Sequence, residues 1–209
     1  MNAPGTKAGH WQAKWQRRYA EREFLFGTAP NAFLQSQSFR LRAGMRALCP
    51  GEGEGRNAVW LARQGLLVTA VDFAPAALEH ALALAARERV AITTIEADLS
   101  RWAWPRESFD LVVLTFVQLP EDERVPVHAG AAAALAPGGL LLLEGFAKGE
   151  RLGCGPPTDD ARYDAAMLRA DFSGLEVLEL MAGTTTLHEG TGHQGAASVV
   201  RLVARKSAP

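Results

Sequence analysis

The sequence has few cysteines, no long apolar run and almost no net charge, and each shortage excludes a class of protein. Its two cysteines, Cys49 and Cys154, are too few for a disulfide framework, and neither belongs to a CxxC pair. No apolar stretch reaches the roughly 20 residues that span a bilayer; the longest, at 139–146, has the length of a strand. The formal net charge of −1 gives no overall field for nucleic acid or anionic membranes.

The composition is that of a globular domain. Of the 209 residues, 48% are hydrophobic and 22% are charged, which argues against wholesale disorder. The polar N-terminus lacks the apolar core of a secretory signal, so we expect a cytoplasmic protein that binds neither nucleic acid nor membrane. We predict a single domain over 1–209, with a helical N-terminal segment at 1–40 and an α/β core at 41–209.

Short apolar runs alternate with helical patterns from residue 45 onward. The runs predicted as strands lie at 45–49, 66–71, 90–95, 109–114 and 140–144. Helical patterns lie between them, and the one at 121–136 is interrupted by Pro126 and stopped by Pro137-Gly138-Gly139. Another helical pattern covers 159–171. Continuously apolar strands indicate a mostly parallel sheet with helices on both faces.

Two β-rich segments, 175–187 and 197–204, close the chain. The residues between them are rich in glycine, histidine and threonine and leave no room for a helix. The two segments are therefore predicted to pair as a long antiparallel hairpin. The predicted architecture is α/β, with a seven-stranded, mostly parallel sheet that ends in this hairpin.

A glycine-rich turn follows the first predicted strand, at Pro50-Gly-Glu-Gly-Glu-Gly55. In an open parallel sheet, ligands bind beyond the carboxyl ends of the strands, and glycine lets a ligand approach the backbone closely. The helix that starts near Arg56-Asn57 is expected to offer free N–H groups to an anionic group. Asp72, seventeen residues after Gly55, ends the second strand, where a carboxylate can accept hydrogen bonds from ribose hydroxyls.

The alternative interpretation is that Asp72 only caps the next helix and that the glycines only form a turn. Both features together, at strand ends, favour a nucleoside-type ligand. The run from Gly53 to Ala58 also fits the GxGxxA pattern of dinucleotide-binding enzymes. Against a dinucleotide, no lysine stands four residues after Tyr19 or Tyr163, no second domain is present, and the hairpin ending is foreign to that fold.

The stretch Leu48–Asn57 resembles the first signature of the class I S-adenosylmethionine-dependent methyltransferases. Later signatures of this family follow in order, at Val71–Phe73, Glu96–Leu99, Phe109–Val112 and Leu135–Gly139. The subgroup of small-molecule enzymes that includes tellurite-resistance and thiopurine methyltransferases is the most similar. The sequence departs from the family at Pro50-Gly51, where many members carry an acidic residue two positions before the first glycine. The resemblance implies a Rossmann-like class I methyltransferase fold.

The resemblance assigns roles to residues along the cofactor, S-adenosylmethionine. The three glycines would approach its methionine and ribose portions, Asp72 would bind the ribose hydroxyls, and Phe73 would flank the adenine. The whole set of implied cofactor-binding residues is Trp15, Tyr19, Gly51, Gly53, Gly55, Asn57, Asp72, Phe73, Asp98, Leu99 and Thr115.

Further roles fall at the ends of the third and fourth strands. Asp98 would accept a hydrogen bond from the adenine amino group, and the Leu99 N–H would reach a ring nitrogen. Thr115 and Phe116 would lie beside the methionine and the acceptor pocket. The structural alternatives are that Asp98 and Asp110 cap turns and that Phe116 belongs to the core.

Three aromatic residues of the first 40, Trp11, Trp15 and Tyr19, recur every four positions and so share one helical face. Such a stripe ordinarily packs on the core. This face and the following Phe26-Gly-Thr-Ala-Pro-Asn31 resemble the entry segment of the tellurite-resistance-like subgroup, which covers the cofactor. We therefore predict that residues 1–40 form a lid or cap over the site.

The acceptor side is predicted at the edge where the glycine loop lies, because the sixth strand ends there. The hairpin turn at 188–195 and the glycine-rich loop at 147–158 are candidates for its walls. His188, His193 and Phe116 are candidate acceptor-side or catalytic residues, although loop histidines are often only solvated. His-x4-His without a third ligand is a poor zinc pattern, so no metal is expected.

The implied activity is in-line methyl transfer from S-adenosylmethionine to a small-molecule acceptor, in a monomer or homodimer. No Asn-Pro-Pro-Tyr or Asp-Pro-Pro-Tyr follows the fourth strand, which argues against the amino-methylating enzymes of DNA and glutamine. A soft nucleophile such as sulfur, selenium or tellurium needs no general base. The alternatives are an NAD(P)-dependent oxidoreductase and a cofactor-binding sensor without catalysis.

Overall fold

The structure, a computed structural model, describes residues 7–21 and 24–208, with side chains from residue 12 onward. The helices are α1 Lys7–Glu21, α2 Ala32–Ser36, α3 Arg56–Arg63, α4 Pro75–Arg87, α5 Glu121–Ala134 and α6 Ala165–Asp171. The strands are β1 Arg46–Pro50, β2 Leu67–Asp72, β3 Thr93–Glu96, β4 Phe109–Thr115, β5 Leu135–Phe146, β6 Glu176–Glu189 and β7 His193–Arg205. None of the described helices is long and apolar enough to cross a membrane.

The strands form one seven-stranded sheet in the order β3-β2-β1-β4-β5-β7-β6. Strands β1 to β5 pair in parallel, and β7 lies antiparallel between β5 and β6. The predicted fold, including the antiparallel C-terminal hairpin, is therefore confirmed. The chain order reverses at β1, so β1 and β4 diverge at the switch point where ligands bind in sheets of this kind.

Apolar side chains cover both faces of the sheet. On one face, the strands pack against α2 and α3 through Leu34 and Leu61. On the other face, they pack against α5 and α6 through Ala131 and Leu168. Because the central strands are buried from both sides, their sequences are continuously apolar instead of alternating.

Several predicted boundaries were wrong. Helix α5 continues through Pro126, which costs it only one hydrogen bond near its N-terminal end. Strand β5 begins at Leu135, before the glycines that were expected to precede it, and α6 is shorter than predicted because it starts after the N-cap Asp164. The hairpin strands are longer than predicted, so the turn contains only residues 190–192 and both predicted turn histidines lie in strands.

Two helices cross closely behind the glycine loop. Gly55 has φ +87°, and a Cβ there would lie 2.7 Å from the Cα and Cβ of Ala81 on α4. Glycine at this position therefore serves both the left-handed backbone and the contact between α3 and α4.

We expect Gly55→Ala to lower the free energy of unfolding by about 2–4 kcal/mol, since it combines a left-handed alanine with overpacking. The matched control is Gly138→Ala, at φ +79° with no atom within 4 Å of the added Cβ. It should lose only about 1–2 kcal/mol. Urea unfolding of both variants measures the difference, and equal losses would contradict the proposed packing constraint.

Candidate functional site

The glycine loop forms a narrow cradle at the carboxyl end of β1. Gly51 and Gly53 have φ +64° and +66°, a conformation that side chains other than glycine rarely adopt. A Cβ at Gly51 would lie 2.9 Å from Cγ2 of Val117, and one at Gly53 would lie 2.9 Å from the Tyr19 hydroxyl. The loop, the end of β4 and α1 therefore face one another with no space for added side chains.

Asp72 ties the glycine loop to the end of β2. Its buried carboxylate accepts hydrogen bonds from Gly53 N (2.8 Å) and Ala74 N (3.0 Å). Burial raises the pKa of this carboxyl, and the two backbone N–H groups partly offset the shift. Asp72 thus stabilises the turn before α4, as the structural alternative required, and its position at the strand end also suits a ribose.

Glu52 lies at the N-terminus of α3, where free N–H groups were expected. Its Oε1 accepts hydrogen bonds from Asn57 N (2.9 Å) and Ala58 N (2.7 Å), so the expectation of free donors was wrong. Burial raises the pKa of Glu52 to about 7, against the opposing effect of these N–H groups and of Arg56. Sequence reasoning missed this residue, although a glutamate between two loop glycines was the available signal.

Asn57 joins three parts of the chain. Its Oδ1 accepts a hydrogen bond from Asn31 N (2.9 Å), and its Nδ2 donates to the Thr115 hydroxyl (2.8 Å). The predicted site residues Asn57 and Thr115 are therefore brought together between α3 and the end of β4. Phe116, the next residue, has φ +55°, a strained conformation of the kind that concentrates at functional sites.

Asp98 lies beyond the end of β3, on the side predicted to receive adenine. Its Oδ1 accepts from the backbone N–H (3.0 Å) and hydroxyl (2.7 Å) of Ser100, and its Oδ2 accepts from Gln12 Nε2 (2.9 Å). The Leu99 carbonyl accepts from the Trp104 indole N–H (3.0 Å). Asp98 therefore stabilises its own turn and also connects it to α1, while the Leu99 N–H donates to no described residue.

The N-terminal segment, defined as residues 12–21 and 24–31, lies over the glycine loop. The rings of Trp15 and Tyr19 stack at 5.6 Å, and Trp15 lies 6.0 Å from the ring of Phe26. Phe73 packs against this cluster. Burial raises the pKa of Tyr19 well above its usual range, and the nearby carboxylate of Asp72 adds to the shift. The side chain of Trp11 lies outside the described residues.

Glu54 fastens this segment to the glycine loop. Its buried carboxylate accepts hydrogen bonds from Phe24 N (2.5 Å) and Leu25 N (2.6 Å) and contacts His80 Nδ1 at 2.9 Å. No role was predicted for Glu54, because nothing in the local sequence pattern shows which backbone N–H groups its side chain reaches.

The two candidate histidines lie in different environments. His188 is exposed, whereas His193 is buried within an aromatic cage formed by Phe26, Phe116 and Phe146, at ring distances of 4.4, 4.6 and 5.2 Å. Only His193 is therefore brought to Phe116, the third acceptor-side candidate. Phe116 also directly follows Thr115, the last residue of β4.

His193 is held by a buried carboxylate. Its Nδ1 lies 2.9 Å from Oε2 of Glu189, which also accepts from Arg56 Nη2 (2.9 Å) and, through Oε1, from Asn31 Nδ2 (3.1 Å). Burial alone would raise the pKa of Glu189, but its contacts with His193 and Arg56 outweigh burial and lower it to about 2. Glu189 is therefore a fixed anion that orients the imidazole.

The predicted acceptor-side loop at 147–158 reaches the same region. Cys154 packs with Phe146 and Leu187, and Phe116 packs against that cluster. Arg162, which the sequence analysis missed, donates to the carbonyls of Ala147 (3.0 Å), Cys154 (3.2 Å) and Pro156 (2.8 Å). This buried guanidinium gives a glycine-rich loop a defined path.

The glycine loop, Asp72, Asp98 and Thr115 all lie within residues 47–139, which match a family described as "Methyltransferase domain". The matched residues make up somewhat less than half of the chain. Its sheet, with the antiparallel C-terminal hairpin and helices on both faces, is the class I methyltransferase fold.

Solved structures with this fold include TehB from Haemophilus influenzae, with a TM-score of 0.73 and 21% identity, covering 86% of this chain and 63% of TehB. Another is 1,6-didemethyltoxoflavin-N1-methyltransferase from Burkholderia thailandensis, with bound 1,6-didemethyltoxoflavin and S-adenosylhomocysteine. Its TM-score is 0.69 at 18% identity, covering 99% of this chain and 92% of that enzyme.

Among curated proteins, Hemagglutinin 1 of Eikenella corrodens is 35% identical over 103 residues, which are 48% of this chain and 34% of that protein. The matched part of this chain therefore spans about a third of that relative's length.

The contacts of Glu54 predict how firmly the N-terminal segment is held. Glu54→Gln removes the charge from two charge-assisted hydrogen bonds, so we expect backbone amides in 24–31 to exchange about ten-fold faster. Hydrogen–deuterium exchange read by mass spectrometry measures this rate. Glu79→Gln, at an exposed position on α4, is the control and should leave the rate unchanged. Unaltered exchange in Glu54→Gln would show that these bonds do not hold the segment.

Proposed function

We propose that this chain is an S-adenosylmethionine-dependent methyltransferase that acts on a small-molecule acceptor. The observation that carries the proposal is a coincidence of two features. The residues that match the methyltransferase domain contain the glycine cradle and Asp72, at the carboxyl ends of β1 and β2. The bound S-adenosylhomocysteine and small substrate of the toxoflavin enzyme, whose fold this chain shares, support the same conclusion.

The residues at this edge of the sheet fit the cofactor. Gly51 and Gly53 allow the methionine and ribose portions to approach the backbone, since side chains there would collide with Val117 and Tyr19. Asp72 keeps carboxylate lone pairs for ribose hydroxyls beyond the two backbone bonds that it accepts. Asp98 and the Leu99 N–H, beyond β3, serve the adenine, which lies against Phe73.

When bound, S-adenosylmethionine supplies an electrophilic methyl group on a sulfonium. The chain contributes alignment and exclusion of water, which are the main requirements of an in-line displacement. Trp15, Tyr19 and Phe26 form an aromatic cover on the side of the glycine loop. In this proposal the N-terminal segment acts as the lid of the site, as its resemblance to the tellurite-resistance-like subgroup implies.

The acceptor binds at the cage around His193, next to Phe116 at the end of β4. Three aromatic rings and a buried imidazole suit a small, largely apolar molecule with one ionisable group. Because Glu189 holds Nδ1, the other ring nitrogen, Nε2, is left to contact the acceptor. Nε2 accepts the proton of an acceptor that carries an X–H group, while a soft anionic nucleophile needs no such base.

Cofactor binding tests the role of Asp72. We expect the wild type to bind S-adenosylhomocysteine in calorimetry, and Asp72→Asn to weaken this binding about 10–100-fold through loss of charge-assisted hydrogen bonds. Asp110→Asn changes a carboxylate that bonds Arg46 at the opposite edge of the sheet, and it should leave the affinity unchanged. If the wild type binds NADH and does not bind S-adenosylhomocysteine, the proposed function is contradicted.

The two histidines give a matched test of the acceptor side. His193→Gln should reduce transfer of labelled methyl groups to phenols, which carry an X–H group, by at least about ten-fold, the low end of effects for a general base. It should leave the affinity for S-adenosylhomocysteine unchanged. His188→Gln, at the exposed position, should change neither quantity. Equal effects of the two substitutions would contradict an acceptor site at the cage.

A further inference from the structure

Glu52 has a carboxyl group that forms no ion pair with any cation of the described residues. It accepts hydrogen bonds from two backbone N–H groups, those of Asn57 and Ala58, and both end on Oε1. Arg56 is the cation that most affects Glu52, but its guanidinium forms an ion pair with Glu189 at 2.9 Å. Within the described residues, Oε2 of Glu52 therefore has no cationic partner.

The groups that face Glu52 from neighbouring elements are mostly acidic or neutral. They are the Cys49 thiol on β1, the Asp72 carboxylate on β2, the Tyr19 hydroxyl on α1 and the Arg56 guanidinium on α3. Glu52 is partly exposed in the glycine loop, although Gly53 and Glu54 beside it are buried. A carboxylate in such surroundings is costly to keep charged unless a cation joins it.

The Glu52 side chain also lies beside Cys49, the position at which many methyltransferases of this family carry an acidic residue. Cys49, two positions before Gly51, has no charge, and its thiol contacts the Glu52 carboxylate. A side chain from position 52 thus places a carboxylate next to position 49, at the end of β1. The loop therefore has a carboxylate at this position, although no acidic residue lies in β1.

We infer that the Glu52 carboxylate is the counter-ion of the α-ammonium group of S-adenosylmethionine. This inference rests on the proposed function, because it requires the cofactor to bind at the glycine loop. The sulfonium is the cofactor's other cation, but its charge disappears during methyl transfer. A carboxylate against it would stabilise the ground state over the transition state and slow the reaction. The ammonium keeps its charge throughout, so a carboxylate there strengthens binding without that cost.

Pairing with the ammonium favours the ionised form of Glu52 and lowers its pKa in the complex. With a pKa raised to about 7 in the free protein, Glu52 is partly protonated near neutral pH. Binding near this pH therefore releases protons from Glu52. The affinity for S-adenosylmethionine is highest at pH values above the pKa of free Glu52, and it falls as the pH drops through that pKa.

Calorimetry with three ligands tests the inference. S-Adenosylmethionine and S-adenosylhomocysteine carry the ammonium, whereas 5′-methylthioadenosine lacks the whole amino-acid portion. Glu52→Gln retains an oxygen acceptor for the two N–H groups, so we expect about 10–100-fold weaker binding of the first two ligands and unchanged binding of the third. Titrations in two buffers with different ionisation enthalpies should show proton release in the wild type and none in the variant. Glu176→Gln, exposed at the start of β6, is the control.

The outcomes distinguish this inference from the proposed function. Equal weakening of all three ligands would assign Glu52 a purely structural role in the loop. Weakening confined to S-adenosylmethionine would place the carboxylate at the sulfonium. Either result overturns the inference and leaves the proposed function standing, whereas failure of the wild type to bind any of the three ligands overturns both.

Discussion

The turn between β1 and α3 is held in shape by three carboxylates that accept hydrogen bonds from backbone N–H groups. Glu52 accepts two hydrogen bonds from α3, and Glu54 accepts two from the N-terminal segment. Asp72 accepts one hydrogen bond from the loop itself and one from the turn before α4. Glycine has no side chain to pack and loses the most conformational freedom on folding. These charge-assisted bonds, each worth about 1.5–3 kcal/mol, offset that loss of freedom. The same carboxylates make its surroundings negative, which suits a cationic cofactor.

The surroundings of the aromatic cage are organised by a second group of charges, in which anions and cations are balanced. Glu189 pairs with Arg56, and Glu144 accepts from Arg201 Nε at 2.6 Å. Asn31 donates to both carboxylates and accepts from Leu34 N, so the N-cap of α2 is also a connection to β5 and β6. Buried ion pairs add little net stability, but removing one partner is costly. The network therefore fixes geometry around the cage more than it strengthens the fold.

The sequence predicted those features that depend on local pattern, and missed those that depend on register or on the path of a side chain. Apolar runs and glycines were enough for the parallel strands, the loop and the hairpin. These patterns could not show which of His188 and His193 is buried, because the length of the three-residue turn determines how the residues of β6 pair with those of β7. In the observed register Glu189 faces His193 while His188 faces Gln194. A slip of one residue would exchange the two faces. Glu52 was missed because its partners follow from the loop path.

Residues 24–27 of the N-terminal segment form hydrogen bonds of unequal strength with the glycine loop and with the hairpin turn. Near the glycine loop, residues 24 and 25 donate two charge-assisted hydrogen bonds to Glu54. Toward the hairpin turn, one neutral hydrogen bond joins Gly192 N to the Leu25 carbonyl (2.9 Å), and Phe26 packs on His193. Gly27 and Gly190 meet backbone to backbone, with no side chain that interlocks them. Because charge-assisted bonds are about twice as strong as neutral ones, the hydrogen bonds of residues 24–27 to the glycine loop are stronger than their hydrogen bond to the hairpin turn.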